Sequence, residues 1–162
     1  MKHRPYTKQE LNTQAKEYCA TLRKRVNHHR CNSPDEDLNS LKDDRWDIPR
    51  VAVSCASQIP PFISENGRNC SYMRNIHQTL LRVHQVKGIQ IGTKPPRTVK
   101  GAEFFVAGQC AEPHAAHRLL NQMDKVGRMI SISDIQFSLA YRVKNSTVRA
   151  YCQTCKTIFS QL

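Results

Sequence analysis

Leu11, Ala15, Tyr18, Leu22 and Val26 recur at three- and four-residue steps, the spacing that gathers side chains on one side of a helix. They predict an amphipathic helix over residues 7–28. Thr7-Lys8-Gln9-Glu10 has the form of a capping box at its start, and Lys16, Arg23, Lys24 and Arg25 crowd its other face. A second stripe, Met73, Ile76, Leu80 and Val83, predicts a helix over residues 69–86 that Gly88 ends. Between them lies an acidic stretch, residues 33–47, whose Ser33-Pro34-Asp35-Glu36 suits the opening of a short helix ending near Trp46. Pro49 and Pro60-Pro61 punctuate the chain after it. Residues 89–91, Ile-Gln-Ile, predict a short strand, residues 93–100 a basic turn, and residues 103–107 a second strand rich in aromatic and β-branched types. Gly108 breaks that strand. A helix follows from near Cys110 through Ala115, Ala116, Leu119, Leu120 and Met123. Residues 130–143 predict a strand, clearest where Ile135, Phe137, Leu139 and Tyr141 alternate with other residues, and residues 151–162 a last helix. The pattern is that of an α/β domain at residues 61–162 behind a helical N-terminal extension at residues 1–60.

Composition narrows the class. The 162 residues are one domain's worth, 39% hydrophobic, with only 6 Gly and 8 Pro, which argues against collagen-like and low-complexity chains. No apolar run approaches the roughly 18 residues of a membrane-spanning helix, and Met1-Lys2-His3-Arg4 is not followed by the apolar core of a secretory signal. A soluble protein with a cytoplasmic site of action is expected. The formal net charge is +12, and it is uneven: residues 1–50 carry 11 basic and 8 acidic residues, and residues 51–162 carry 14 and 5. A positive field of that size over the later two thirds favours phosphate contacts and makes nucleic acid the first partner to expect.

The seven cysteines are odd in number and irregularly spaced, which argues for reduced thiols or metal ligands over a disulfide scaffold. Cys110-Ala111-Glu112 opens one predicted helix, and Cys152-Gln153-Thr154-Cys155 opens the last. Zinc takes soft thiolates in four-fold coordination, and a catalytic zinc keeps one position open for water. Cys110, Cys152 and Cys155 supply three ligands, and a helix start favours the thiolate form of a cysteine placed there. Glu112, two residues past the first of them, is placed to sit beside the ion without ligating it and to carry protons.

The order strand, Cys-x-Glu helix, strand, Cys-x-x-Cys helix resembles the zinc-dependent nucleoside and nucleic-acid deaminases. Cys110-Ala111-Glu112-Pro113, with Ala115 and Ala116 behind it, looks most like the deaminase domains of bacterial polymorphic toxins. The resemblance covers roughly residues 69–162. Two features depart from that family's pattern: Tyr151 stands where a proline usually precedes the Cys-x-x-Cys, and the sequence stops soon after this helix. The resemblance implies a cytidine-deaminase-like mixed sheet flanked by helices, either truncated after the last helix or completed by Val51-Ala52-Val53 or another upstream segment. It also implies Zn2+ held by Cys110, Cys152 and Cys155, with Glu112 moving protons. The reaction would be hydrolytic conversion of cytosine to uracil in nucleic acid, single-stranded DNA before RNA. A toxin effector of this kind would have an immunity protein as a further partner.

For substrate contact the sequence offers Tyr151, Phe104 beside Phe105, and His114, with Lys94, Arg97 and Lys100 as a phosphate-binding loop. His114 also suits a different ligand set with Cys110, and with all three cysteines it would close a four-ligand site. That is the alternative function: a zinc-stabilised nucleic-acid-binding module without turnover. A thiol–disulfide role for Cys152 and Cys155 is a third. Cys19, Cys31, Cys55 and Cys70 share no ligand-type spacing and are read as core or partly exposed thiols, His117 as a helix-surface or substrate-facing residue, and Trp46 as a packing anchor.

Overall fold

The computed structural model describes the backbone of residues 6–32, 51–57, 63–66, 75–102, 106–108, 110–142 and 145–162, and the side chains of these except at 25–32, 51–57 and 63–66. The expected helix near Trp46, residues 103–105 of the expected second strand and the candidate Phe104 lie outside the described residues, as do the side chains of Cys31, Cys55 and Cys70.

Helix α1, Lys8–Asn32, begins where the capping box places it. Glu10 N donates to Thr7 Oγ1 at 3.2 Å while Thr7 N donates to Glu10 Oε2 at 2.8 Å. Its inward stripe is Leu11, Ala15, Cys19 and Leu22, so Cys19 is a core thiol and Tyr18 lies half-buried at the margin. Strands β1, Val51–Ser57, and β2, Ile63–Asn66, pair antiparallel. Helix α2 spans Gln78–Val86, and residues 75–77 before it are not helical. His77 is its N-cap and accepts from Thr79 N at 3.1 Å, which sets a later start than the Met73-to-Val83 stripe predicts. Gly88 at φ +67° turns the chain out, and Ile89 N donates back to His84 O at 2.9 Å. That bond belongs to a helix cap. Residues 89–91 are consequently a turn and not the expected strand.

Helix α3, Ala111–Lys125, buries nine of its fifteen residues. After it come a short 3-10 turn at Ile132–Asp134, strand β3 at Ile135–Phe137, strand β4 at Ala140–Arg142, strand β5 at Val148–Arg149 and helix α4 at Gln153–Ile158. The single strand expected over residues 130–143 is therefore broken in two. Both halves pair with β1: Cys55 opposes Phe137 and Ala52 opposes Tyr141, three steps on β1 against four on its partner. The additional residue is a one-residue bulge at Ser138-Leu139. It reverses the facing of everything after it. Ile135, Phe137 and Ala140 join one core cluster with α2, α3 and α4, whereas Leu139 and Tyr141 join a second cluster with α1. The sheet thus lies between α1 on one face and the other three helices on the opposite face.

The strand order is β2-β1-β4-β5, with β3 also on β1, and every pairing among the described residues is antiparallel. The described part of the sheet is thus antiparallel where a mixed one is expected: the short connections between β1 and β2 and between β4 and β5 suit antiparallel neighbours, since parallel ones need long crossovers. Val51-Ala52-Val53 belong to β1, an interior strand of the sheet, so of the alternatives the sequence leaves open an upstream segment does join it. The last helix also differs. It ends at Ile158, where Phe159 turns extended and sets its ring 4.9 Å from that of Phe137. No described helix is long and apolar enough to cross a membrane.

Candidate metal centre

Two helix starts converge beneath the sheet. Cys110 is the N-cap of α3 at φ −74°, ψ 162°, and Cys152 is the N-cap of α4 at φ −73°, ψ 158°. This shared extended geometry swings each side chain ahead of its helix. The two sulfurs lie 3.3 Å apart. One turn into α4, Cys155 brings in the third thiol, and its backbone N–H donates to Cys152 Sγ at 3.4 Å. All three ligand atoms lie within 4.8 Å of one another, and no disulfide links them. Sulfurs bound to zinc at about 2.3 Å in tetrahedral directions lie roughly 3.8 Å apart, so the observed spacing fits one ion with small adjustments.

Electrostatics supports the same fit. Hydrogen bonding with Cys152 and burial push the Cys110 thiol well above its ordinary range. Cys155, 1% exposed, is raised by hydrogen bonds with Cys110 and Cys152 and by burial. Three thiolates this close repel one another in a dry site. A cation between them would remove that cost, and thiolates are donors that soft metal ions, zinc among them, accept.

Glu112 lies beside the cluster on the first turn of α3, only 4% exposed. Cys155 Sγ donates to its Oε2 at 3.4 Å. Burial, more than any other cause, raises its carboxyl to about 7, with the nearby Cys152 adding to the effect. A carboxyl poised there exchanges protons readily near neutral pH. Pro113 follows at a first-turn position, where its missing N–H breaks no helical hydrogen bond.

The remaining candidates are placed differently. Tyr151, half-buried, gives its hydroxyl proton to Ser138 O at 2.5 Å. His114 is 3% exposed, and burial together with Arg118 and His117 lowers it to about 3; it is not in the group of three ligand atoms. His117, a helix-surface candidate, accepts from His77 N at 3.1 Å, while His77 Nε2 stands 2.8 Å from Asp124 Oδ2. These two bonds fasten the start of α2 to the length of α3, a role that no sequence signal beyond a histidine before Gln78-Thr79 announces. Lys94, Arg97 and Lys100 are all exposed on the loop that follows α2. That loop is closed at its neck, where Gly92 N donates to Ala107 O at 3.0 Å and Ala107 N to Thr93 O at 2.9 Å. Ala107, which closes the loop, is buried and shares the larger core cluster with Cys152 and Cys155. No family model, curated protein or solved structure matches this chain, and the chemistry of the centre rests on its own residues.

Proposed function

We propose that this chain is a zinc-dependent hydrolytic deaminase that converts cytosine to uracil in nucleic acid, with single-stranded DNA as its foremost substrate. The observation that carries the reading is the buried Glu112 carboxyl against the three-thiol cluster. A purely structural zinc site has no use for an acid held dry at that position. The closed four-ligand module would need His114 as its fourth donor, and His114 stands outside the ligand group.

Cys110, Cys152 and Cys155 hold the ion. Zinc in such a site supplies Lewis acidity, the chemistry that makes water acidic enough to attack at neutral pH. Glu112 Oε2 takes a proton from the attacking water and delivers it to the ring nitrogen of the base. Oxygen adds to C4; Glu112 then takes the second proton, from the new C4 hydroxyl, and passes it to the amino group as the C4–N bond breaks, so the products are uracil and ammonia.

A polymeric substrate is favoured by charge. From Glu65 to Glu103 no acidic residue intervenes, whereas seven Lys and Arg do. Lys94, Arg97 and Lys100 are exposed on the loop that precedes Cys110 and would hold phosphates while a base enters. Single strands are the cheaper substrate because a paired base must first be flipped out, at a few kcal/mol. The family resemblance adds a toxin effector with an immunity partner.

The test is incubation of the protein with single- and double-stranded DNA and RNA of random sequence, followed by sequencing for C-to-T and A-to-G changes and by an ammonia assay. C-to-T change is expected with the wild type and none with Glu112→Ala, which keeps its zinc. A zinc-loaded wild type that edits nothing would refute the reading.

A further inference from the structure

Tyr151 immediately precedes Cys152, and its ring packs against the larger core cluster while its hydroxyl reaches across to Ser138 O at 2.5 Å. Ser138 is fully buried and lies in the bulge that separates β3 from β4, outside both registers with β1. The next residue of the bulge is held from the other face of the sheet. Leu139 N donates to Asn12 Oδ1 on α1 at 2.7 Å. One bulge is thus gripped from both sides, by α1 through Asn12 and by the chain entering α4 through Tyr151. The hydroxyl that grips it belongs to the residue whose next backbone unit carries a ligand sulfur.

We propose that Tyr151 is a positioning residue of the metal centre: its hydroxyl latches the start of α4 to the sheet bulge, fixing the Cys152 thiol against Cys110, with Asn12 setting the bulge from α1. The inference rests on the metal-binding part of the function proposed above and assigns Tyr151 a task other than base stacking, since its polar end is spent on the sheet. It also gives helix α1, far from Cys110 in sequence, a physical route to the site through Asn12, Leu139, Ser138 and Tyr151. Groups outside the ligand set that orient the ligands typically change metal affinity 10- to 100-fold when removed.

The experiment compares wild type, Tyr151→Phe, Asn12→Ala and the double variant by zinc competition against a chromogenic chelator and by the absorption spectrum of the cobalt(II)-substituted protein. Far-ultraviolet circular dichroism checks folding. Tyr151→Phe keeps the ring and removes only the latch. It should weaken zinc about 10-fold and shift the cobalt bands. Asn12→Ala should weaken zinc roughly 3-fold, as expected for one lost hydrogen bond. The double variant should resemble Tyr151→Phe instead of showing the product of the two effects, because both act on one bulge. A Tyr151→Phe protein with wild-type affinity and spectrum overturns the latch, as does an additive double variant. Should Tyr151→Phe fail to fold, Asn12→Ala decides: an unchanged cobalt spectrum there overturns the inference. A wild type that takes up neither ion overturns the metal reading itself, which distinguishes that failure from failure of the latch alone.

Discussion

His114 makes the fold sensitive to acid, and the size of the effect can be worked from its burial. The ring is 3% exposed, and burial, with Arg118 and His117 nearby, lowers it from 6.5 to about 3. Below pH 6.5 the unfolded chain binds a proton at this ring that the folded chain refuses. Stability is therefore full above pH 6.5 and falls as pH drops toward 3, by about 1.4 kcal/mol per unit. From pH 7.5 to pH 5.0 the loss is about 2 kcal/mol from this one group. His114→Leu abolishes it, whatever the substitution does to stability at neutral pH. Urea unfolding of both proteins, followed by circular dichroism, should show the variant gaining about 2 kcal/mol on the wild type between those two pH values. Proton-linked loss of metal is common to both chains and cancels in the difference. A gap between the two proteins that stays constant with pH to within about 0.5 kcal/mol would refute the argument, because additivity errors are of that size.

Two more outcomes follow from the site. Cys110→Ser removes a ligand sulfur while placing a better capping residue at the start of α3, so bound zinc should be lost from the purified protein, as measured by elemental analysis. The metal-free fold should hold its stability or gain up to about 1 kcal/mol. Exchange of Lys94, Arg97 and Lys100 together for Gln should leave kcat on a saturating oligonucleotide unchanged and raise KM at low salt. The log–log salt slope of binding to single strands should fall by about 2, near 0.7 for each phosphate no longer neutralised; an unchanged slope would place the substrate elsewhere.

The elements were legible where local chemistry and tertiary packing agree. The Thr7–Glu10 box marks the start of α1, and the approach of Cys110, Cys152 and Cys155 follows from two helix starts that each carry a thiol. The bulge was not legible. Ile135, Phe137, Leu139 and Tyr141 alternate without a break in sequence, and a one-residue slip leaves no mark when both faces of the strand meet a core. Strand β5 is two residues long, below any usable period. The turn at residues 89–91 reads as a strand by composition, but the Ile89 N–H is taken by the cap of α2 and Gly92 at φ +85° bends the chain away. Helix α4 stops at Ile158, where Phe159 turns extended and sets its ring against Phe137, a long-range contact that the local pattern does not carry. Asn12 and Ser138 had no signal at all, since Asn12 matters through a backbone N–H 127 residues away and Ser138 through its own carbonyl, which accepts from the Tyr151 hydroxyl.

The N-caps of α3 and α4 bear on why the cluster exists. Asn, Asp, Ser or Thr at such a position stabilises a helix by about 1 kcal/mol relative to a residue that cannot cap. Both helices begin instead with cysteine, and Cys110 makes no side-chain capping bond at all. Cys152 does accept from Cys155 N, but at 3.4 Å and through sulfur, a weak acceptor. The sequence thus forgoes helix stability at two places that lie 3.3 Å apart through their sulfurs, and buries a third thiol and a carboxyl against them. Packing alone gives no reason for that arrangement, because apolar residues at all four positions would fill the space without the desolvation cost of Glu112. A bound cation would reverse the balance: thiolates at two helix starts would meet the positive ends of both helix dipoles and a divalent charge at once. The stability given up in the metal-free fold would then be regained on binding, coupling folding to metal uptake through two of the three cysteines that could hold the ion.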